Sequence, residues 1–333
     1  MKLSHLKELR NIRKLNNFFD NTYSAIIQYI EKKPLITLKI EGDAIKVSRR
    51  LFEQLVYSIL NNRVTSLDVS EEQMVINNEI RIFRCDADGL SYFDDNLLLA
   101  LNLSEEAKKL GWRVEDGLWT NGKVKFLVML GILMETFNYN IYHIEGVKGR
   151  DVVDVGGSIG DTAIFYKMNG ARKVVSVEPL NLPYKLANVH LKLNNINNID
   201  FIRGALVAEN NQISVKVPSC YPLYGLGGFS LSTNWKFDKE EEVPTFTLSD
   251  ILPDDPYLLK MDCEGCEYDV ILKDYETVKR FTVINVEYHE KETGISHKVL
   301  INKLKDDYKV KVYYGPGPEQ GKYYGMILAK KKH

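Results

Sequence analysis

Residues 151–179 read DVVDVGGSIGDTAIFYKMNGARKVVSVEP, and no other stretch of the chain restricts its fold as tightly. An apolar strand, Val152 to Val155, runs into a turn holding Gly156, Gly157 and Gly160. A helix over Thr162 to Met168 follows, then Gly170, then a second apolar strand, Val174 to Val177, ending in Glu178-Pro179. Together they make one βαβ unit, with glycines where a cofactor approaches the backbone and an acid where a ribose is held. A nucleotide-like cofactor is the first expectation.

A length of 333 residues buries a substantial core and suggests two domains. Net charge is −1, so no global field steers the chain to nucleic acid or an anionic membrane. The basic runs at the ends (Lys2, Lys7, Arg10, Arg13 and Lys14; Lys330 to Lys332) read as solvated termini. The longest apolar run, Phe126 to Met134, falls far short of the roughly 18 residues a membrane span needs. No apolar signal core follows the N-terminal charges, so a cytoplasmic protein is expected. Cys85, Cys220, Cys263 and Cys266 are too few for a disulfide scaffold.

Residues 1–120 read as a small N-terminal α+β domain without a chemical motif. Leu3, Leu6, Leu9, Ile12 and Leu15, then Ile26, Ile27 and Ile30, have helical spacing, and Pro34 ends it. Ile36, Leu38 and Ile40 alternate, as do Ile45 and Val47 beyond Glu41-Gly42-Asp43, which is a hairpin signal. Leu51 to Ile59 form a helix face, and Asn77-Asn78 marks a second hairpin. Ser104 before Glu105 and Glu106 predicts a helix start.

From about residue 121 the rhythm changes to alternating strand and helix. A helix is expected over Phe126 to Phe137 and another opened by Pro183. Strands are expected near Phe201-Ile202, at Ile213 to Val217, Tyr257 to Met261 and Phe281 to Val286, with a helix over His297 to Leu304. This predicts an α/β domain over 121–333 built on a Rossmann-like, open, mostly parallel sheet. The last strands, Tyr308 to Tyr313 and Tyr323 to Ala329, are joined by Gly315 to Gly321. So short a link makes them an antiparallel C-terminal hairpin.

Three readings of the glycine turn compete. A G-x-G-x-x-G fingerprint needs glycine where Ser158 and Asp161 stand, and Asp161 puts negative charge where a pyrophosphate would lie. Gly156 to Gly160 also fits the G-x-S-x-G nucleophile elbow, with Asp262 and His289 following in triad order. Against it, residues 35–83 read as hairpins where parallel strands are required, and no HGGG-like segment precedes. The third reading is S-adenosylmethionine, which has no phosphate to cradle. Gly156, Gly157, Ser158 and Gly160 let the backbone close over its methionine part. Asp154 and Asp161 offer carboxylates to its ammonium group, and Glu178 accepts both ribose hydroxyls. Gly204 and Ala205, just past Phe201-Ile202, complete the cofactor-side candidates.

These segments resemble Class I S-adenosylmethionine-dependent methyltransferases and, more narrowly, the FkbM family. That family carries an aspartate–isoleucine/valine–glycine–alanine–asparagine–isoleucine–glycine turn, a glutamate–proline after strand two, and asparagines in the next helix. A lysine–x–aspartate–x–glutamate–glycine–x–glutamate block follows. Here the counterparts are DVGGSIGD, VEP, Asn188 and Asn194, and Lys260 to Glu267, with Val286-Glu287-Tyr288-His289 also family-like. The match covers roughly residues 135–330. Gly157-Ser158 replaces the alanine–asparagine pair, so any contact of that asparagine side chain is lost. The resemblance implies O-methylation, often of sugar or glycan hydroxyls or of secondary metabolites.

Asp262 ends one expected strand, and Glu287 and His289 end the next; ligands of open α/β sheets bind at such carboxyl ends. Asp262, Glu287, His289 and Glu264 are therefore the catalytic candidates, although Glu264 and Glu267 would equally suit the helix start near Tyr268. The expected reaction is in-line attack of a substrate hydroxyl on the sulfonium methyl, with His289 or Glu287 as base. A divalent metal held by Asp262 and Glu287 is the alternative way to acidify that hydroxyl. Cys263-x-x-Cys266 lacks the second ligand pair of a zinc site. Tyr221, Tyr224, Phe229 and Trp235, among Gly225, Gly227 and Gly228, either line an acceptor site or pack on the sheet.

A small-molecule or glycan acceptor is the expected partner, with no membrane span. A nucleic-acid methyltransferase would show a basic stripe. An amino-group methylase would also carry an asparagine/aspartate–proline–proline–aromatic motif where Met261 to Glu264 stand. A non-catalytic S-adenosylmethionine-binding protein would lack the acids at 262 and 287.

Overall fold

Alternation of buried and exposed residues builds the first hairpin of the chain. The computed structural model describes residues 12–87, 89–209, 214–218, 222–224, 240–315 and 321–332. They divide into two units, Met1–Gly131 with Cys220–Leu226, and Ile132–Ser219 with Gly227–His333.

In the first unit, α1 (Thr22–Ile30) precedes β1 (Leu35–Ile40) and β2 (Asp43–Ser48), paired antiparallel with Ile40 opposite Asp43. Glu41 and Gly42 between them both take positive φ, the two-residue turn that matches strand twist. Ser48 then caps α2 (Arg49–Leu60) by accepting from the Leu51 N–H, and Leu51, Phe52, Leu55, Val56 and Ile59 are buried along one face. Next come β3 (Leu67–Val69), β4 (Gln73–Ile76), β5 (Ile80–Ala87) and β6 (Leu90–Phe93), completing a sheet of order β1-β2-β6-β5-β4-β3. The helix α3 (Leu97–Lys109) starts earlier than Ser104, because Asn96 accepts from the Leu99 N–H. The Ser104 hydroxyl instead donates to buried Glu79 at 2.6 Å. A small sheet of β7 (Arg113–Glu115), β8 (Leu118–Thr120) and β9 (Lys125–Phe126) follows. The helix expected from Phe126 begins only as α4 (Gly131–Phe137), since Phe126 is committed to pairing with Trp119. Leu3, Leu6 and Leu9 lie outside the described residues.

The second unit carries the βαβ signal. Its elements are β10 (Asp151–Val155), α5 (Asp161–Met168), β11 (Lys173–Glu178), α6 (Asn181–Leu193) and β12 (Ile199–Arg203). Then come β13 (Ala205–Leu206), β14 (Ser214–Pro218), β15 (Glu240–Phe246), β16 (Pro256–Met261), α7 (Cys266–Lys273) and α8 (Tyr275–Val278). The unit closes with β17 (Val283–His289), α9 (Glu290–Thr293), α10 (Lys298–Leu304), β18 (Tyr308–Tyr313) and β19 (Tyr324–Lys331).

The main sheet has the order β12-β11-β10-β16-β17-β19-β18. Strands β12 through β17 are parallel, and β19 alone runs against its neighbours, inserted between β17 and β18. This is the open, mostly parallel α/β sheet with an antiparallel C-terminal pair. Strand β10 is buried along its whole length, its three valines accompanied by the buried Asp151 and Asp154. Pro183 sits inside the first turn of α6 rather than at its start, a place where its missing N–H costs nothing. No described helix is long and apolar enough to cross a membrane.

Candidate active site

The strand order turns at the β10–β16 junction, with β11 and β12 on one side and β17 on the other. Crevices open past the carboxyl ends of strands at such a reversal. Here the Val155 carbonyl accepts from the Asp262 N–H at 3.0 Å, and the Val177 carbonyl accepts from Gly156 and Gly157, each at 3.0 Å. The glycine turn therefore lies across the tips of β10, β11 and β16. At Gly156, φ is +77°, and a Cβ would run into the Asp262 carbonyl oxygen. The space freed at Gly157 and Gly160 is filled by Ser176 and Ala187. These glycines bring the turn into contact with neighbouring protein, a use the sequence did not disclose.

One polar row crosses the centre of the sheet. Ser176, Asp154, Lys260 and Asn285 stand in register on β11, β10, β16 and β17, all fully buried. Lys260 Nζ lies 3.2 Å from Asp154 Oδ1, 3.9 Å from Asp262 Oδ2, and donates to the Gly156 carbonyl at 2.9 Å. Burial alone would lower the Lys260 ammonium; Asp154, Asp262 and Asp161 outweigh it and hold it above its usual range. The Thr162 and Ser176 hydroxyls donate to Asp154 Oδ2 at 2.8 and 2.9 Å. Asp154 departs from the expectation that it meets a ligand's ammonium group: its carboxylate is sealed inside the sheet as the partner of Lys260. Asp161 is buried too, accepting from Thr136 at 2.6 Å, and burial pushes it up to about 7.

Glu178, at the tip of β11, points back at the turn. Its Oε2 accepts from the Ser158 N–H at 2.9 Å and its Oε1 from the Leu180 N–H at 2.8 Å. Each oxygen keeps further acceptor capacity, the acceptor pair a vicinal diol requires. Burial pushes Glu178 up to about 7 against the pull of those two N–H groups. The Gly204 N–H donates to the Glu178 carbonyl at 3.1 Å, which brings Gly204 and Ala205 to the same sheet end.

All four catalytic candidates gather beside this end. Strand β16 leads into Asp262, the loop before α7 carries Glu264, and β17 delivers Glu287 and His289. His289 Nε2 lies 3.7 Å from Asp262 Oδ1 and 3.4 Å from Glu264 Oε2, and its Nδ1 is 2.9 Å from Glu267 Oε1. Tyr142 donates to Asp262 Oδ2 at 2.7 Å. Burial, then the field of Asp262, pushes Glu287 well above the carboxylate range and Glu135 to about 7. Burial, with Asp262 adding to it, takes Glu264 to about 8. For His289, burial favours the neutral ring, but Glu267 and Glu264 outweigh it and raise the imidazole well above its usual value.

Comparison with known proteins identifies the domain over these residues. Residues 154–309, which hold every one of these strand tips, match the methyltransferase FkbM domain. The chain carries an FkbM methyltransferase domain. S-adenosylmethionine is its cofactor, and the Glu178 end of the sheet fits the ribose of that molecule. No curated protein matches the chain. Among solved structures, the chain is similar to methyltransferase FkbM from Methylobacillus flagellatus KT at 16% identity and TM-score 0.39. That match covers 54% of this chain and 43% of that one, so the chain spans less than half of that relative's length. An rRNA methylase from Streptococcus thermophilus matches at 12% identity and TM-score 0.37, over 57% of this chain and 91% of that one. TrmK from M. capricolum, in complex with S-adenosylhomocysteine, matches at 10% and 0.35, over 59% and 68%.

Tyr142 and Glu135 at the candidate site were missed by sequence reasoning, and Lys260 and Glu267 were given no fixed role there. Tyr142 and Glu135 lie far upstream of Asp262 and carry no local pattern. Lys260 interrupts the apolar run of β16 opposite Asp154, and a charge in each of two buried parallel strands was a usable signal. Glu267, left open between a helix-start acid and a site acid, is fully buried and accepts from the Gly265 N–H at 2.9 Å. The cysteines also need correction. Cys263 and Cys266 are joined to each other, and Cys85 is disulfide-bonded as well. Glu264 and Gly265, at φ +56° and +121°, reverse the chain between the paired sulfurs. Of the aromatic segment, Tyr224 is buried, and its N–H and that of Leu223 donate to Asp95 at 2.8 and 3.0 Å. Tyr221, Gly225, Gly227, Gly228, Phe229, Trp235 and Cys220 lie outside the described residues.

Proposed function

We propose that the chain is an S-adenosylmethionine-dependent O-methyltransferase acting on a hydroxyl of a small molecule or glycan. The observation that carries the reading is the meeting, at one sheet end, of a buried diol acceptor, Glu178, with the Asp262–Glu264–Glu287–His289 cluster. Bound S-adenosylmethionine supplies an electrophilic methyl whose carbon–sulfur bond breaks as the new carbon–oxygen bond forms, leaving a neutral thioether. Glu178 and the Ser158–Gly160 turn anchor the nucleoside. The acidic cluster suits a cationic donor and takes up the hydroxyl proton. Of the two expected bases, Glu287 fits better from about pH 8 upward, where its raised carboxyl ionises, because an imidazole held protonated by Glu267 and Glu264 has no free lone pair for the task.

A net charge of −1 supplies no excess of cations for phosphate contacts, which favours a neutral acceptor over a nucleic acid. The test is methyl transfer from labelled S-adenosylmethionine to panels of glycans, small alcohols, RNA and DNA, beside calorimetry with S-adenosylhomocysteine. Transfer to a hydroxyl acceptor supports the proposal, and transfer to RNA or DNA alone overturns the acceptor class. Cofactor binding without transfer to any panel, with Glu287→Gln behaving as the parent, would leave a non-catalytic binder.

A further inference from the structure

We propose that Asp262, Glu264 and His289 form a binding site for a divalent first-row transition cation. Only its placement beside the methyl donor rests on the function proposed above.

One ligand atom from each of the three residues lies within 4.8 Å of the others. An ion about 2.1 Å from nitrogen and oxygen ligands spaces them about 3.0–3.4 Å apart in octahedral or tetrahedral geometry. The imidazole Nε2 stands 3.4 and 3.7 Å from the two carboxylate oxygens. Both separations exceed the 2.7–2.9 Å or so of a charge-assisted hydrogen bond. The ring nitrogen thus faces the gap between the carboxylates instead of closing on either one.

The three side chains are also held in orientation. Glu267, fully buried, takes the Nδ1 side of His289, which leaves Nε2 aimed at the gap, where an entering cation displaces its proton. The edge of Tyr324 meets the same ring, with centroids 5.6 Å apart. Tyr142 occupies Asp262 Oδ2, which leaves Oδ1 turned toward His289. A carboxylate behind a ligating histidine and a hydrogen bond behind a ligating carboxylate are how proteins fix metal ligands. Mixed imidazole and carboxylate donors favour manganese, iron or zinc over magnesium, which prefers oxygen alone. Three protein ligands leave positions open for an acceptor oxygen. The paired cysteines are not part of the site, since their sulfurs are bonded to each other.

The test uses the full chain, stripped with chelator and titrated with Mn2+, Zn2+ and Mg2+ by calorimetry, with Mn2+ also followed by electron paramagnetic resonance. One Mn2+ or Zn2+ per chain is expected, at least tenfold tighter than Mg2+. Glu264→Gln, which keeps size and lies partly at the surface, should abolish that stoichiometric binding. Glu267→Gln, a change at a positioning residue, should weaken it about 10–100-fold. Absence of stoichiometric binding by parent protein that still binds S-adenosylhomocysteine overturns the metal site and leaves the methyltransferase reading intact. Unchanged Mn2+ affinity in Glu264→Gln overturns it equally. Metal binding without S-adenosylhomocysteine binding sustains the site and overturns the reading.

Discussion

Replacing Lys260 with methionine tests how the sheet is held together behind the site. Methionine fills a similar volume, so the change removes charge more than bulk. It strands the Asp154 carboxylate, fully buried, with the Thr162 and Ser176 hydroxyls as its remaining donors. It also removes the donor to the Gly156 carbonyl and a cation 3.9 Å from Asp262. Breaking a buried pair from one side costs about 3–5 kcal/mol, chiefly because the other charge stays behind. At about 2–4 °C per kcal/mol for a unit of this size, melting should fall by about 6–20 °C. Calorimetric melting and urea unfolding of the purified chain measure this, and hydrogen exchange at Val152 to Val155 assigns it to β10. Adding Asp154→Asn to Lys260→Met should recover at least half of the loss. A loss below about 1 kcal/mol, or a double variant whose loss equals the sum of the two singles, would refute the argument that Lys260 and Asp154 act as one buried unit.

Other consequences follow from the same geometry. Glu178→Gln should weaken S-adenosylhomocysteine binding at least tenfold by calorimetry while leaving the fold intact by circular dichroism. Burial raises Glu178 to about 7, so the folded state favours its protonated form. Its contribution to stability is therefore full at low pH and declines as pH rises from the ordinary carboxylate value through about 7. Melting temperature of the parent minus that of Glu178→Gln should fall across that window, and a flat difference would reassign the group. Ligand affinity should move oppositely, rising between pH 6 and 8 as the ribose acceptor ionises. Glu287→Gln should lower turnover about 100-fold or more with cofactor affinity unchanged, since proton abstraction commonly contributes 10²–10⁴ or so. Gly156→Ala should cost about 1–3 kcal/mol from backbone conformation alone. The clash with Asp262 should further misplace the acid and reduce activity more than stability.

Local patterns specify the sheet well. The valine-rich strands β10 and β11, the apolar start of β16, the glycine turn and the closing hairpin each advertise themselves within a dozen residues, whereas the pairing of β10 with β16 and the insertion of β19 beside β17 join segments distant in sequence. Strand-tip acids are visible for the same reason, because Asp262, Glu287 and His289 close apolar strands. What escapes is set by contacts distant in sequence. Tyr142 reaches Asp262 across 120 positions. The helix expected at Phe126 gives way to a strand because Trp119 is there to pair with it. Asp154 looked like a ligand-facing acid until its neighbour on β16 proved to be a lysine. Ser104 loses its expected role as a cap because Asn96 caps the helix first and Glu79 takes its hydroxyl.

The Cys263–Cys266 bond encloses only Glu264 and Gly265. A ring that small withdraws little freedom from the unfolded chain, so cutting it should scarcely alter melting. Its reach is short and chemical instead. Cys263 Sγ lies 3.3 Å from the Glu267 oxygen whose twin steadies His289. Adding dithiothreitol would put two thiols against that carboxylate and loosen the hairpin that presents Glu264. A Cys263→Ser/Cys266→Ser variant, which spares the disulfide at Cys85, should then melt like the parent yet differ from it in catalysis.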